Sequence, residues 1–230
     1  MGCSEDTPVK PNNQNQDAKK SNSNKPNSKW KIIFVLGEPG GGKNTQCDLI
    51  EEKYQIIHFS CGDLLRDAVK ENIPEAEEIK NYMKEGKIVP AEVTCGLQKK
   101  FMQKNGDNYK FYLCDGFPRN EENLKGFQKT FGDEIEICGV LYIKCDEEVC
   151  LERIKARAEA STEKRIDDNV ETIRKRFRVM REETLPNLEN FKKFTKVWMI
   201  DANKTKEEVF KQIDEVLKDV LEKRTTPLLK

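Results

Sequence analysis

WKIIFVLGEPGGGKNTQC, running from Trp30 to Cys47, is the stretch that decides the fold. An apolar run suited to a buried strand ends at Leu36, four glycines and a proline precede one lysine, and a helical pattern starts at Thr45. Read as punctuation alone, the glycines make a loose surface turn. Read chemically, they let successive main-chain N–H groups turn inward and hold an anion, with Lys43 adding a charge. The order strand, glycine loop, helix favours the second reading, because a helix N-terminus aims its dipole and unbonded N–H groups at whatever sits in the loop.

Gly37, four residues, then Gly42-Lys43 match the P-loop pattern with one complication. Asn44 separates the lysine from Thr45, where the strict pattern has Ser or Thr directly after it. A P-loop says only that a nucleotide is bound. GTPases add an Asn-Lys-x-Asp element that reads the base, and Asn203-Lys204-Thr205-Lys206 lacks the aspartate.

The rest of the chain narrows the field. Its 230 residues suffice for one domain with a sizeable core and a small movable insert. Lys plus Arg and Asp plus Glu both number 41, so there is no basic surplus for nucleic acid or an anionic membrane. Any polyanion must meet a local cluster of cations. Eight cysteines form no CxxC pair, and Cys114, Cys138 and Cys145 lie in apolar runs. They read as small buried hydrophobes in a reducing compartment, with no structural zinc, so a cytoplasmic (or also nuclear) protein is expected. The single histidine, His58, rules out a multi-histidine metal site and sits in an apolar run suited to a structural role. No apolar stretch reaches the length of a membrane span.

Residues 1–28 are nearly all Asn, Lys, Ser, Pro and Asp and read as a disordered tail, with a second short tail at 224–230. Met1-Gly2-Cys3 carries part of a myristoylation and palmitoylation signal, but Asp6 stands where Ser or Thr is expected and weighs against it.

From Trp30 onward short apolar strands alternate with helices. WKIIFVL, IIHF, KFYLCD, CGVLYIKC and KVWMID read as strands. Helical patterns follow the loop and each later strand, the last being TKEEVFKQIDEVLKDVLEK. Ser60 is placed to cap the helix after IIHF, and Pro74 and Pro90 to open the two after it. Five strands separated by helices predict an α/β fold: three layers, α/β/α, around a five-stranded parallel sheet.

Two further clusters carry chemistry. DGFPRN puts Asp115 at the end of an apolar strand, where a carboxylate at the carboxyl edge of a sheet can hold Mg²⁺ through a water; capping the next segment is the plainer alternative. Arg119 follows on a proline-stiffened loop and offers a planar fork of donors to phosphate. Arg66, Arg157, Arg165 and Arg176 are scattered, each ordinary alone, though Asp167 and Asp168 beside Arg165 suit the orienting of arginines in a cleft. With Lys43 and Arg119 they supply the cations needed where two polyphosphates meet. Phosphoryl transfer asks for positioning, Mg²⁺ and charge stabilisation more than for a nucleophilic side chain.

Six motifs in order, GEPGGGKNTQC, HFSCGDLLRD, EGKIVP, DGFPRNEEN, RIDDN and IDANKTKEEVF, resemble those of the nucleoside monophosphate kinases of the adenylate kinase superfamily. The resemblance runs from about Trp30 to Leu221 and is strongest to the UMP-CMP kinase branch. It implies a kinase domain over 29–223, with a helical monophosphate-binding insert at about 60–105 and a short lid at about 157–167. It implies reversible transfer of the γ-phosphate of Mg·ATP to UMP or CMP, with AMP and dCMP as further candidate acceptors. A monomer is expected, with Mg²⁺ as its cofactor.

Carried over residue by residue, the resemblance has Gly40, Gly41, Gly42, Lys43, Asn44 and Thr45 hold the ATP phosphates, with Arg157 touching ATP from the lid and Lys204 beside the adenine. Ser60, Gly62, Arg66, Gly116, Arg119 and the backbone of Lys87, Ile88 and Val89 would surround the acceptor. Arg165 and Arg176 would bridge the two sets of phosphates, and with Lys43 and Arg119 they form the implied catalytic set. Asn123 stands where adenylate kinases generally carry a glutamine that reads adenine. A carboxamide able to flip would serve uracil and cytosine alike, while Asn120 and Asn123 as caps of the next helix are the alternative. Two departures stand out. Asn44 replaces the family's usual glycine, which bears on turnover and ATP affinity. The lid, RAEASTEKR, is longer than in relatives and lacks their glycine, which bears on the pairing of Arg157. A short-lid adenylate kinase acting on AMP and a non-catalytic nucleotide-binding protein stay open on these residues.

Overall fold

β1 (Trp30–Gly37) is the middle strand of a five-stranded sheet in the computed structural model, flanked by β3 (Phe111–Asp115) and β4 (Ile135–Lys144). β2 (Ile57–Ser60) and β5 (Val197–Asp201) form the edges, giving the order β2-β3-β1-β4-β5. Every neighbouring pair is parallel, as the alternation of strands and helices requires. The structure describes residues 30–105, 111–160, 167 and 169–225. The tail at 1–28, the lipidation signal at Gly2 and Cys3, Arg165, Asp168, most of the 157–167 lid and the end of the chain from 226 lie outside them.

Successive strand side chains point to opposite faces, and β1 shows it. Ile32, Phe34 and Leu36 pack with α4 (Ala91–Asn105), α5 (Glu121–Phe131) and α8 (Leu185–Lys192) through Met102, Phe127 and Phe191. Ile33 and Val35 face α1 (Lys43–Tyr54), α6 (Glu147–Ala160), α7 (Val170–Val179) and α9 (Lys206–Thr225) through Ile50, Ile154, Phe177 and Ile213. These are the three expected layers, and each large side chain so buried contributes about 1.5–3 kcal/mol. A separate small cluster joins Leu65 and Ala68 of α2 (Cys61–Lys70) to Ile79 and Met83 of α3 (Ala76–Lys84) and to Val89.

Local chemistry accounts for most boundaries. Ser60 caps α2, its hydroxyl accepting from Asp63 N at 3.4 Å, and Asn120 and Asn169 cap α5 and α7 in the same way. Pro74 and Pro90 lie just before α3 and α4 rather than inside them, and the Pro90 carbonyl accepts from both the amide and the hydroxyl of Thr94. The sequence reading has one helix over 169–184 and no other before the last strand. The structure ends α7 at Val179, passes through a π turn at Met180–Thr184 and continues into α8. Pro186 has no N–H for the Glu182 carbonyl, and the wider turn closes instead with Leu185 N on Met180 O.

The seven described cysteines outside the tail are buried, unbridged thiols. Among the described residues no helix is long and apolar enough to cross a membrane.

Because the strands are parallel, their carboxyl ends share one edge of the sheet. Asp115 lies opposite Val35 on one side and Ser60 on the other, while Gly37 lies opposite Ile143. Ligands gather at such an edge where the chain winds to either side of the first strand. The C-terminal helix braces the opposite layer. Asp214 of α9 accepts from Lys53 at 2.5 Å and Tyr54 at 2.6 Å on α1, and from Lys218 at 2.8 Å. Hydrogen bonds from Lys218, Lys53 and Tyr54 hold its carboxyl well below the usual carboxylate range. A carboxyl depressed on folding stabilises fully above its unfolded value, about 3.9, and loses that contribution as pH falls through the folded one. Asp214→Ala should therefore lower stability by about 2 kcal/mol at pH 7. Denaturant titrations at descending pH should show the gap to wild type closing below about pH 4.

Candidate active site

The glycine loop is pinned from within. Lys43 opens α1, and its Nζ folds back to donate to the carbonyls of Gly37 at 3.0 Å and Glu38 at 2.9 Å. Gly41 N donates to the same Glu38 carbonyl at 3.0 Å. Gly42 precedes α1 with φ 90°, and no side chain caps the helix, so the loop and helix N-terminus present main-chain amides to the cavity in front of them. Gly40 has φ 82°, and a Cβ there would come within 2.6 Å of the Cys150 carbonyl. Burial lowers the Lys43 pKa, Asp115 opposes that, and Arg119 and Arg176 add to it.

Asp115, at the end of β3, is buried, and its Oδ1 has no hydrogen-bond partner. Burial raises its pKa against the pull of Lys43, His58 and Arg119. The chain then turns away: Gly116 N donates to Val35 O at 2.9 Å, and the Phe117–Pro118 bond is cis. Arg119 Nε donates to Gly116 O at 2.9 Å, which aims the guanidinium into the cavity. Asn123 is buried, and its Oδ1 accepts from Arg119 N at 3.1 Å. The carboxamide is thereby oriented with its amino group outward. A flip would set that amino group against the Arg119 N–H, donor against donor.

Across the cavity Asp63 accepts from Arg66 Nη2 at 2.6 Å and Nε at 3.1 Å. Buried Asp167 sits between two arginines, 3.4 Å from Arg66 Nη1 and 2.9 Å from Arg176 Nη1. The Thr172 hydroxyl donates to Lys84 O at 2.9 Å, so α7 and α3 meet directly.

One cavity of about 460 Å³ collects these groups. Gly40 through Thr45 line one end with Arg157 and Lys204. Ser60, Gly62, Arg66, Lys87, Ile88 and Val89 line the other with Gly116, Arg119 and Asn123, and Asp115 and Arg176 lie on the cavity wall too. Among the expected site residues Arg165 alone lies outside the described ones. Among the described residues nine lysines and arginines line the cavity against two aspartates, in a chain whose formal net charge is zero. A glycine loop on a helix N-terminus, facing convergent arginines across a basic cleft, is built for two phosphate-bearing ligands.

Comparison with known proteins agrees. The family model described as adenylate kinase matches residues 35–196. The chain belongs to the adenylate kinase family. UMP-CMP kinase of Gallus gallus is 43% identical over 190 residues, covering 80% of this chain and 95% of the relative. UMP-CMP kinase of Homo sapiens is 42% identical over 190 residues with the same coverage. UMP-CMP kinase 3 of Arabidopsis thaliana is 47% identical over 192 residues, 84% of this chain and 91% of the relative.

Within this adenylate kinase fold, sequence reasoning passed over several residues. Arg153 donates from Nη2 to Ala202 O at 3.0 Å and from Nη1 to Gly41 O at 3.4 Å, laying a guanidinium between the loop and the end of β5. Its signal was the spacing to Arg157, four residues on and so on the same helix face. Asp63, three residues before Arg66, was legible in the same way. Leu65, Met83 and Phe117, the apolar walls of the acceptor end, had no such signal. Asn44 does not crowd the loop; its Nδ2 reaches out 3.4 Å to Asp63 Oδ2.

Gly40 supplies the sharpest test of the loop. Gly40→Ala should weaken Mg·ATP binding by tenfold or more, because the left-handed conformation alone disfavours alanine by about 1–2 kcal/mol and the Cys150 carbonyl leaves no room. Calorimetric titration beside an unchanged circular dichroism spectrum checks it.

Proposed function

We propose that this chain is a nucleoside monophosphate kinase that reversibly transfers the γ-phosphate of Mg·ATP to UMP and CMP. The observation that carries the proposal is the convergence of Lys43, Arg119, Arg66 and Arg176 on one cavity between the glycine loop and the α2–α3 cluster. The relatives named above, UMP-CMP kinases along nearly their whole length, support the choice of acceptor.

In this reading the amides of Gly40 to Thr45 hold the β- and γ-phosphates of ATP, and Lys43 leaves the loop carbonyls to follow the migrating group. Arg153, Arg157 and Lys204 hold the rest of the donor. Arg66 and Arg119 grip the acceptor's phosphate, whose oxygens suit their planar forks. Arg176 stands between the two, and we assign Arg165 the same task. Ser60, Gly62 and the Lys87–Val89 backbone shape the acceptor pocket. Asn123 turns a fixed donor towards the base, and uracil O4 and cytosine N3 both accept.

Asp115 fits a role towards Mg²⁺, because an unpartnered buried carboxylate oxygen at the sheet edge is a suitable acceptor for a metal-bound water. The ion, arriving as Mg·ATP, supplies charge neutralisation at the phosphates. The chain's own cations supply the remainder: the arginines are gathered at the cavity before the reaction, and Lys43 alone shifts from the loop carbonyls as negative charge moves to the bridging oxygen. Closure of the 60–105 insert and the 157–167 lid would keep water from taking the phosphoryl group. A cytoplasmic monomer serving pyrimidine nucleotide synthesis completes the proposal, in keeping with the buried reduced thiols.

A panel of UMP, CMP, dCMP and AMP with Mg·ATP tests it directly. UMP and CMP should turn over faster than AMP. A preference for AMP would make the chain a short-lid adenylate kinase, and nucleotide binding without turnover would make it a non-catalytic binder. Lys43→Ala and Arg119→Ala should each lower kcat by roughly 10²–10³-fold in folded protein. Near-normal rates in both would mean the site has been misplaced.

A further inference from the structure

Glu38 is the member of the glycine loop to which neither the donor cradle nor the acceptor clamp gives a task. A carboxylate in a loop shaped for anions is unfavourable unless it is turned away and hydrogen-bonded. Both conditions hold. Glu38 is not among the residues lining the cavity. Its Oε1 accepts from the Tyr142 hydroxyl at 2.5 Å and its Oε2 from Cys145 N at 3.1 Å. Tyr142 lies near the end of β4 and Cys145 just past it. Burial and this hydrogen bond push the Tyr142 phenol up, so it stays a donor.

The main chain of the same residue faces the opposite way. The Glu38 carbonyl accepts from Gly41 N at 3.0 Å and from Lys43 Nζ at 2.9 Å. One residue therefore ties the bend of the loop and its lysine, through the backbone, to the neighbouring strand, through the side chain. Charge-assisted hydrogen bonds are about twice as strong as neutral ones, and two from different donors fix a carboxylate plane. The glycines that free the loop's amides leave it with little rigidity of its own, so an external anchor decides whether those amides converge.

We propose that Glu38 is a positioning residue that fixes the phosphate loop on β4 and thereby sets the affinity for the donor nucleotide. The inference rests on the reading of the loop as the ATP site.

Four variants test it: Glu38→Ala, Glu38→Gln, Tyr142→Phe and the Glu38→Ala/Tyr142→Phe double variant. The readouts are the dissociation constant for Mg·ATP by calorimetry, the KM for UMP and thermal unfolding. Glu38→Ala should weaken ATP binding about tenfold, through loss of both carboxylate hydrogen bonds, while the KM for UMP moves less than about twofold. Glu38→Gln keeps an acceptor for Tyr142 and should recover most of the loss. Tyr142→Phe should weaken ATP about threefold, and the double variant should be no weaker than Glu38→Ala, because both changes break one link. Wild-type ATP affinity in folded Glu38→Ala, equal losses for ATP and UMP, or additive effects in the double variant would each overturn the inference. If Glu38→Ala does not fold, Tyr142→Phe decides alone, and wild-type ATP affinity in it is the overturning result. Wild-type protein that binds no Mg·ATP would overturn the donor-site reading as well, so the two failures are told apart.

Discussion

The Lys43 ammonium is partly buried under the glycine loop, and its two hydrogen bonds go to main-chain carbonyls rather than to a carboxylate. That is a charge with no directly bonded counter-ion, in a place where burial already lowers its pKa and where Arg119 and Arg176 push the same way against Asp115. Carbonyl dipoles hold the ammonium without cancelling it, which leaves its charge available to an anion. Much of the architecture bears on this one arrangement. β1 delivers the loop, Glu38 ties it to β4, and Gly40 packs it against α6. Asp115 balances the lysine from the neighbouring strand without a direct bond.

The arginines answer to a related constraint. Several guanidiniums cannot be assembled in a half-buried cleft unless carboxylates separate them. Asp63 and Asp167 do this, and Asp167 lies between Arg66 and Arg176 much as a bridging phosphoryl group would. The cations are thereby held in fixed directions across the cleft, in a planar geometry that phosphate oxygens also satisfy. Asn44 joins this set from the loop side: it lines the glycine-loop end of the cavity, and its side chain reaches across to Asp63 of α2.

Two further polar anchors are structural, one on the outer surface and one at the cavity rim. Asp214 gathers Lys53, Tyr54 and Lys218 on the outer face of α1 and α9, and Gln46 donates to Lys206 O at 3.0 Å where α9 begins. α1 therefore has a rigid back and a reactive front. The first keeps the helix axis, and with it the N-terminal amides, directed at the cavity.

Taken alone, the sequence determined whatever depends on near neighbours. Strand, loop and helix periodicity from Trp30 to Tyr54, the Ser60 cap and the alternation that demands a parallel sheet are local, and the structure carries them nearly residue for residue. The resemblance of its ordered motifs to nucleoside monophosphate kinases also named residues that line the cavity, which for the scattered arginines residue type and spacing alone did not do. The tertiary structure alone decided the strand order, the π turn that splits α7 from α8, and the pairings of Asp167 with Arg66 and of Glu38 with Tyr142 and Cys145. These join residues as many as 107 positions apart, and a carboxylate's sequence neighbours do not say which distant cation or hydroxyl it will meet. The orientation of Asn123 belongs with them: its type was plain in the sequence, but the amide that holds its oxygen is placed by the turn after Asp115, and only the folded backbone shows which end of the carboxamide is left for a base.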